Sequence, residues 1–360
     1  MTSTNITLSS TLFFIQQQVT RYLYSVYLIF GITGCCLNII LLTQRQYRTV
    51  SCCTYFIVAS VTMLINLSFG VGTTMYAINY ADPTLNSGIF CKLRIYILQS
   101  SSMMYRWCLT MACFDRFALS SVQQRLRNFA DIRIACRTIF VIIIVWFILP
   151  VHLLIYYDAF GNICSIHNNI TMSLYHSLFT TICGSVLPVS IMITCALLIY
   201  RNLVLKQRRR QPNHRQILEG GNNEQYVQRK RDRQVLFMLL VQICVYVILI
   251  TPLMGIYFYN AVSLNVRNKS VERVAVERFA LFIAEAVIYL FPTLSFYLYT
   301  IASYSFRNEL LRMVQLMATC GWYGRNRHIS PVTNNTTRHA FDRNQSVELA
   351  IPKPCVPIPS

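Results

Sequence analysis

Cys113-Phe114-Asp115-Arg116-Phe117 closes an apolar run over residues 89–119, long enough to cross a bilayer as one helix, and sets an acid beside a base at its end. Ionised groups near a membrane interior are costly unless partners are close. The pair is therefore either an interfacial arginine snorkelling toward lipid phosphate or a device the fold uses. Six further apolar runs, at 24–43, 54–78, 134–156, 174–200, 235–259 and 279–301, lie on either side of it. Of the 360 residues, 54% are hydrophobic and only 12% charged, with a mean hydropathy of +0.44. A soluble domain carries roughly 25% charged residues, so lipid is the main solvent of this chain. Backbone groups in lipid must pair internally, and no series of alternating ten-residue segments signals a barrel. The fold class is an all-α membrane protein, a bundle of seven transmembrane helices.

The charges between the runs set the orientation. Arg45, Arg48, Arg125, Arg127, Arg133 and the basic cluster within 201–233 fall on one side, which is cytoplasmic by the positive-inside rule. The net charge of +19 is thus explained by inner-leaflet lipid, and nucleic acid is not needed as a partner. Residues 1–23 are read as an extracellular N-terminus, 24–303 as the bundle, 304–319 as a short amphipathic helix on the inner membrane face, and 320–360 as a disordered cytoplasmic tail. No cleaved signal peptide is recognisable, so the first helix acts as its own anchor. Most of the fourteen cysteines lie inside apolar runs as small buried hydrophobes. Cys320 is either palmitoylated or a plain cytosolic thiol. Asn5, Asn169 and Asn268 begin outward-facing Asn-x-Ser/Thr sequons.

Asp115-Arg116-Phe117, at the inner end of the third run, resembles the Asp-Arg-Tyr motif of rhodopsin-like (class A) G-protein-coupled receptors, with Phe in the last place. Other positions resemble that family's markers: Asn38 in the first span, Trp146 in the fourth, Pro188 in the fifth and Pro252 in the sixth. The resemblance runs from about Tyr24 to Leu316, and its overall look is closest to invertebrate neuropeptide-type receptors. It implies an outer-face disulfide between Cys91 and Cys164. It also implies a resting lock in which Arg116 pairs with Asp115 and with an acid at the base of helix six, where Asp232 stands, and a heterotrimeric G protein as the inner partner.

The chain departs from the family pattern at its centre. Asn66 replaces the helix-two Asp, and the helix-seven Asn-Pro-x-x-Tyr reads Ser295-Phe296-Tyr297-Leu298-Tyr299, keeping only Tyr299. Pro292 is either that proline displaced or an ordinary helix kink. Helix six has Ile250 where Trp is usual and Tyr246 where Phe is common. Arg106 lies about ten residues inside Arg116, where an unpartnered guanidinium costs at least ~2.5 kcal/mol. Two accounts stay open. Either Arg106 contacts Glu285 of the seventh span, directly or through Asn66 and water, or it bonds backbone carbonyls while Glu285 faces a ligand cavity.

Leu98 and Tyr289 stand where aminergic receptors carry an Asp and opsins the retinal Lys, which disfavours amine and light sensing. The outer residues Tyr76, Tyr80, Asp82, Tyr156, Tyr157, Asp158, His167, Tyr257, Tyr259, Glu272 and Glu277 suit a peptide with basic or amidated ends. The alternatives are a chemosensory receptor for a small molecule, or a polytopic transporter or channel, against which no inverted repeat is visible. No catalytic motif appears, His152 and His176 read as single structural residues, and no cofactor or metal is expected. The reading is a multi-pass plasma-membrane receptor with its N-terminus outside and its C-terminus in the cytoplasm.

Overall fold

The computed structural model describes residues 2–121, 123–160, 163–166, 169–210, 223–263, 270–304 and 306–315, with side chains throughout except at 2–7, 45–46, 160, 163, 203–210, 223–235 and 261. Six helices are long and apolar enough to span a membrane: α1 (Leu8–Leu42), α2 (Ser51–Asn79), α4 (Ile132–Tyr156), α5 (Ile170–Asn202), α6 (Leu236–Asn260) and α7 (Val271–Ala302). Between α2 and α4 runs α3 (Gly88–Ser120), 33 residues and so about 50 Å of helix. Packing follows a ring, α7 on α1, α1 on α2, α2 on α3 and α6 on α7, with α3 also against α4 and α5. Asn268, Cys320 and the 320–360 tail, and the side chains of Asn5 and Asp232, lie outside the described residues. The chain forms one unit over Met1–Arg312 and a second over Met313–Ser360.

α3 is the least apolar of these helices because it sits inside the others. Buried residues recur along it from Cys91 to Ser120, among them Arg106, Asp115 and Arg116, whereas α4 buries Ala135, Ile139, Ile142, Trp146, Pro150 and Leu153. A helix wrapped by protein can carry polar groups that a lipid-facing one cannot. The lipid-facing character falls on the outer helices, where Phe140, Val141, Phe147, Ile148, Ile248 and Phe258 are exposed.

Helices in lipid gain little from the hydrophobic effect and associate through close packing. Gly31 and Gly34 show this on the α1 face that meets α7. A Cβ on Gly34 would stand 3.1 Å from Cβ of Phe296, and one on Gly31 would stand 3.2 Å from Oγ1 of Thr293. Larger side chains there would push α7 away.

The helical rod containing α1 starts at Thr2, well ahead of the apolar run that begins near Tyr24. No Gly or Pro occurs before Gly31, so nothing in the sequence breaks the helix, and a single π turn at Thr20–Tyr24 carries it into the bundle. At the same end, β1 (Tyr157–Phe160) and β2 (Ile163–Ile166) form an antiparallel hairpin after α4. Residues 306–315 are helical, with Phe306 fully buried and Arg307 and Asn308 exposed.

Candidate functional site

At one end of α3, the side chains of Asp115 and Arg116 are each 3% exposed. Nε and Nη2 of Arg116 donate to the same carboxylate oxygen of Asp115, at 3.1 and 2.7 Å, and Nη2 also reaches the Ser51 hydroxyl of α2 at 3.3 Å. The guanidinium is thereby folded onto its own helix and tied to α2. A buried pair of this kind is costly to break, because losing one partner leaves a charge uncompensated, at about 3–5 kcal/mol.

Around it stand other residues of the same end of the bundle. Tyr299 of α7 donates its hydroxyl to Oε1 of Gln242 of α6 at 2.8 Å, and its ring packs on Phe56 and on Phe306. Asn38 of α1 donates to the Ser295 hydroxyl at 3.3 Å, so the position of the missing family Asn is held by a serine. Phe117 packs on the ring of Phe114.

The middle of the bundle is organised by Pro188 of α5. Proline lacks an N–H, so it cannot pair with the carbonyl four residues back in an α-helix or five back in a π turn. Those carbonyls belong to Gly184 and Cys183, within a π turn at Ile182–Val186. Both are taken by α3: Arg106 donates Nη1 to Gly184 at 3.1 Å, and Trp107 donates its indole N–H to Cys183 at 3.0 Å. The guanidinium also lies 5.7 Å from the centre of the Tyr105 ring.

This settles the Arg106 alternatives. No hydrogen bond or ion pair joins Arg106 to Glu285 among the described residues; Arg106 bonds a backbone carbonyl, and Glu285 lines a cavity nearer the hairpin. Asn66 does not bridge them either, since its amide donates to the Leu98 carbonyl at 3.2 Å and the Ser101 hydroxyl at 3.1 Å. Tyr246 packs edge-on against Phe291, and the Trp146 ring lies tilted beside that of Trp107. Arg106→Met is expected to cost about 1–3 kcal/mol, the penalty of a buried carbonyl left unpaired. The loss should shrink when Pro188→Ala is made as well, because the helix then supplies its own N–H. A double-mutant cycle on thermal stability measures the coupling, and additive losses would contradict it.

At the hairpin end, Cys91 and Cys164 are bonded, with Cα atoms 5.9 Å apart, within the normal range. The bond ties β2 to the start of α3. A cavity of about 380 Å³ opens beneath the hairpin, walled by Tyr157, His176, Tyr257 and Glu285. A larger one, about 740 Å³, lies between the early part of α1, the ends of α2 and α7, and Cys164, with Arg94, Arg278 and Asp82 on its wall.

Several residues expected to face a ligand are engaged with one another. Tyr259 donates to Glu277 at 2.9 Å, and Arg273 contacts both. Tyr76 stacks on Tyr80 with ring centres 4.8 Å apart. His167 lies outside the described residues. Asn169 caps α5, accepting from the Met172 N–H at 3.0 Å. His152 and His176, read as single residues, in fact face each other at 3.3 Å. Nδ1 of His152 also meets the Leu149 carbonyl at 3.0 Å, which can only accept, so that nitrogen donates to it. Sequence reading missed this pair and missed Arg94; the one signal for the arginine was a charge inside an apolar run.

The described helices form a bundle with a buried ion pair toward one end of its central helix and cavities toward the other. The family described as 7 transmembrane receptor (rhodopsin family) matches residues 35–295, more than half of the chain. The chain belongs to that family: it is a G-protein-coupled receptor, a multi-pass membrane protein of the plasma membrane and a receptor by family rather than an enzyme. No individual curated protein matches it.

Proposed function

We propose that the chain binds an extracellular peptide at the hairpin end and activates a heterotrimeric G protein at the Asp115-Arg116-Phe117 end. α3 completes a set of seven crossings as the third in chain order, the N-terminus is outside, and the segment after α7 is cytoplasmic. The observation that carries the reading is the contrast along α3: a sealed ion pair at one end and open, aromatic- and acid-lined space at the other. In the resting state Asp115 and Ser51 hold Arg116; outward movement of α6 breaks the Tyr299–Gln242 contact and frees the guanidinium for the G protein. Glu285, exposed to its cavity beside Tyr157 and Tyr257, accepts a basic group of the ligand. That cavity also lies in the range of small-molecule sites, which keeps a small odorant as a second reading.

The test is a peptide-library screen in cells carrying a promiscuous G-protein reporter, with small odorants as a parallel arm. A peptide response that disappears in Arg116→Ala supports the proposal; a response to odorants alone favours the second reading, and ion flux without nucleotide exchange favours a transporter.

The same geometry predicts indifference to sodium. Family members with a helix-two Asp bind the ion through that charge, whereas here Asn66 is neutral, its amide is committed to α3, and Arg106 adds a positive charge to the bundle centre. Hard cations need oxygen ligands and gain from negative charge. Agonist affinity should be equal in sodium chloride and choline chloride at equal ionic strength. A sodium-specific loss of affinity that persists in Asn66→Ala would contradict this.

A further inference from the structure

Arg94 combines charge, fixation and access in one side chain. Nε donates to the Thr73 hydroxyl at 2.6 Å and the Phe69 carbonyl at 3.3 Å, and Nη2 donates to the Thr74 hydroxyl at 3.1 Å and the Gly70 carbonyl at 3.3 Å. All four acceptors lie on α2, at its π turn Ser68–Gly72 and just beyond, so the guanidinium plane is held against one helix face. Nη1 makes none of the described hydrogen bonds. The Arg94 side chain lines the 740 Å³ cavity.

A clasp between α2 and α3 needs only donors, and a neutral amide would supply them. A guanidinium adds a charge; no carboxylate forms an ion pair with it among the described residues, and the carboxylate it acts on through space is Glu285 of the neighbouring cavity. The same cavity presents Arg278 and Asp82, so two guanidiniums stand there against one carboxylate, and Oδ1 of Asp82 is already committed to the Thr84 N–H at 2.8 Å. The wall is thus net positive, rigid at Arg94, and roomy. A planar cation with a free edge suits a carboxylate, and its immobilised side chain forfeits little entropy on binding.

We infer that this cavity binds a carboxylate of the ligand, with Arg94 as its primary partner and Arg278 as the second. The inference rests on the reading of the hairpin end as the ligand side. Together with Glu285 in the neighbouring cavity it defines a ligand carrying both a basic group and a carboxylate, and so argues against an amidated peptide whose only charges are basic. The carboxylate comes either from a free C-terminus or from an Asp or Glu side chain.

The test starts with benzoate and its neutral isostere benzamide, added to purified full-length receptor in detergent. Benzoate at tens of millimolar is expected to raise Tm by about 2–4 °C with benzamide inert. Arg94→Gln should erase the difference between the two compounds, and Arg278→Gln should reduce it. The comparison is internal to each variant, so any loss of basal stability cancels. If Arg94→Gln does not accumulate, Arg94→Lys keeps the charge and should keep a weaker benzoate-specific shift. Equal shifts with both compounds in the wild type, or a benzoate-specific shift untouched in Arg94→Gln, would overturn the inference while leaving the receptor reading intact.

A second arm uses the peptide library made in free-acid and amide forms. Activity confined to free acids assigns the C-terminus, and activity of amides containing Asp or Glu assigns the side chain. Activity of peptides without any carboxylate, undiminished in Arg94→Gln, overturns the inference; if every peptide is silent, the benzoate arm decides.

Discussion

Arg116→Ala is expected to reduce agonist-stimulated nucleotide exchange at least 100-fold while leaving the receptor at the cell surface. The guanidinium is held by Asp115 at 2.7 Å and by Ser51 at 3.3 Å and is 3% exposed, so at rest it offers nothing to a partner. Its role in the proposed mechanism begins when α6 moves and its donors turn to carbonyls of the G protein's C-terminal helix. Removing a charge-assisted contact of that kind costs several kcal/mol, and each 1.4 kcal/mol is tenfold in an equilibrium. The variant also leaves Asp115 buried without its counterion, so thermal stability should fall by about 3–5 kcal/mol. Asp115→Asn/Arg116→Ala removes that penalty and serves as the folding control: it should recover stability but not exchange. Undiminished exchange in either variant would remove Arg116 from the coupling step.

Cys91→Ser or Cys164→Ser is expected to cut surface expression to a small fraction of wild type and to abolish high-affinity agonist binding. The bond closes a separation of 73 residues between the start of α3 and β2, and the chain-entropy account of such a loop gives about 4 kcal/mol. Its second effect is local. The bond holds β2 beside the 740 Å³ cavity, whose wall includes Cys164 itself, and Tyr157 and Ser165 of the same hairpin wall the smaller cavity. Cys36→Ser, at an exposed cysteine outside any bond, is the matched control and should change little. Surface labelling and saturation binding on the three variants measure both effects; expression and affinity retained in Cys91→Ser would show that the hairpin is held by something else.

The helices were legible because lipid is a demanding solvent: apolar runs of the right length have no other stable solution. The family was legible because single residues such as Asn38, Trp146, Pro188 and Pro252 fell at matching places along those runs. α3 was legible as the run over 89–119, and Cys91 near one end and Arg116 near the other marked its place in the family pattern.

Contacts between helices were less legible, and Arg106 shows why. Pairing it with the only central acid, Glu285, follows from charge alone. Its actual partner is a carbonyl that exists as an acceptor only because Pro188 and a π turn leave it without an N–H. A sequence displays side-chain charges but not which backbone groups a distortion sets free. Arg94 was overlooked for the same reason, since its acceptors include the Phe69 and Gly70 carbonyls beside another π turn. The His152–His176 pair depends on how α4 and α5 meet, which no periodicity encodes.

The central claim is that occupancy of the outer cavities drives nucleotide exchange at the Arg116 end. Its most direct test is GTP exchange on purified heterotrimeric G proteins by the full-length receptor in lipid nanodiscs, with the screened peptide added and omitted. The account predicts a peptide-dependent acceleration of at least tenfold in the wild type, lost in Arg116→Ala and weakened in Glu285→Gln. Peptide binding without acceleration of any heterotrimer, or acceleration that survives Arg116→Ala, would contradict it.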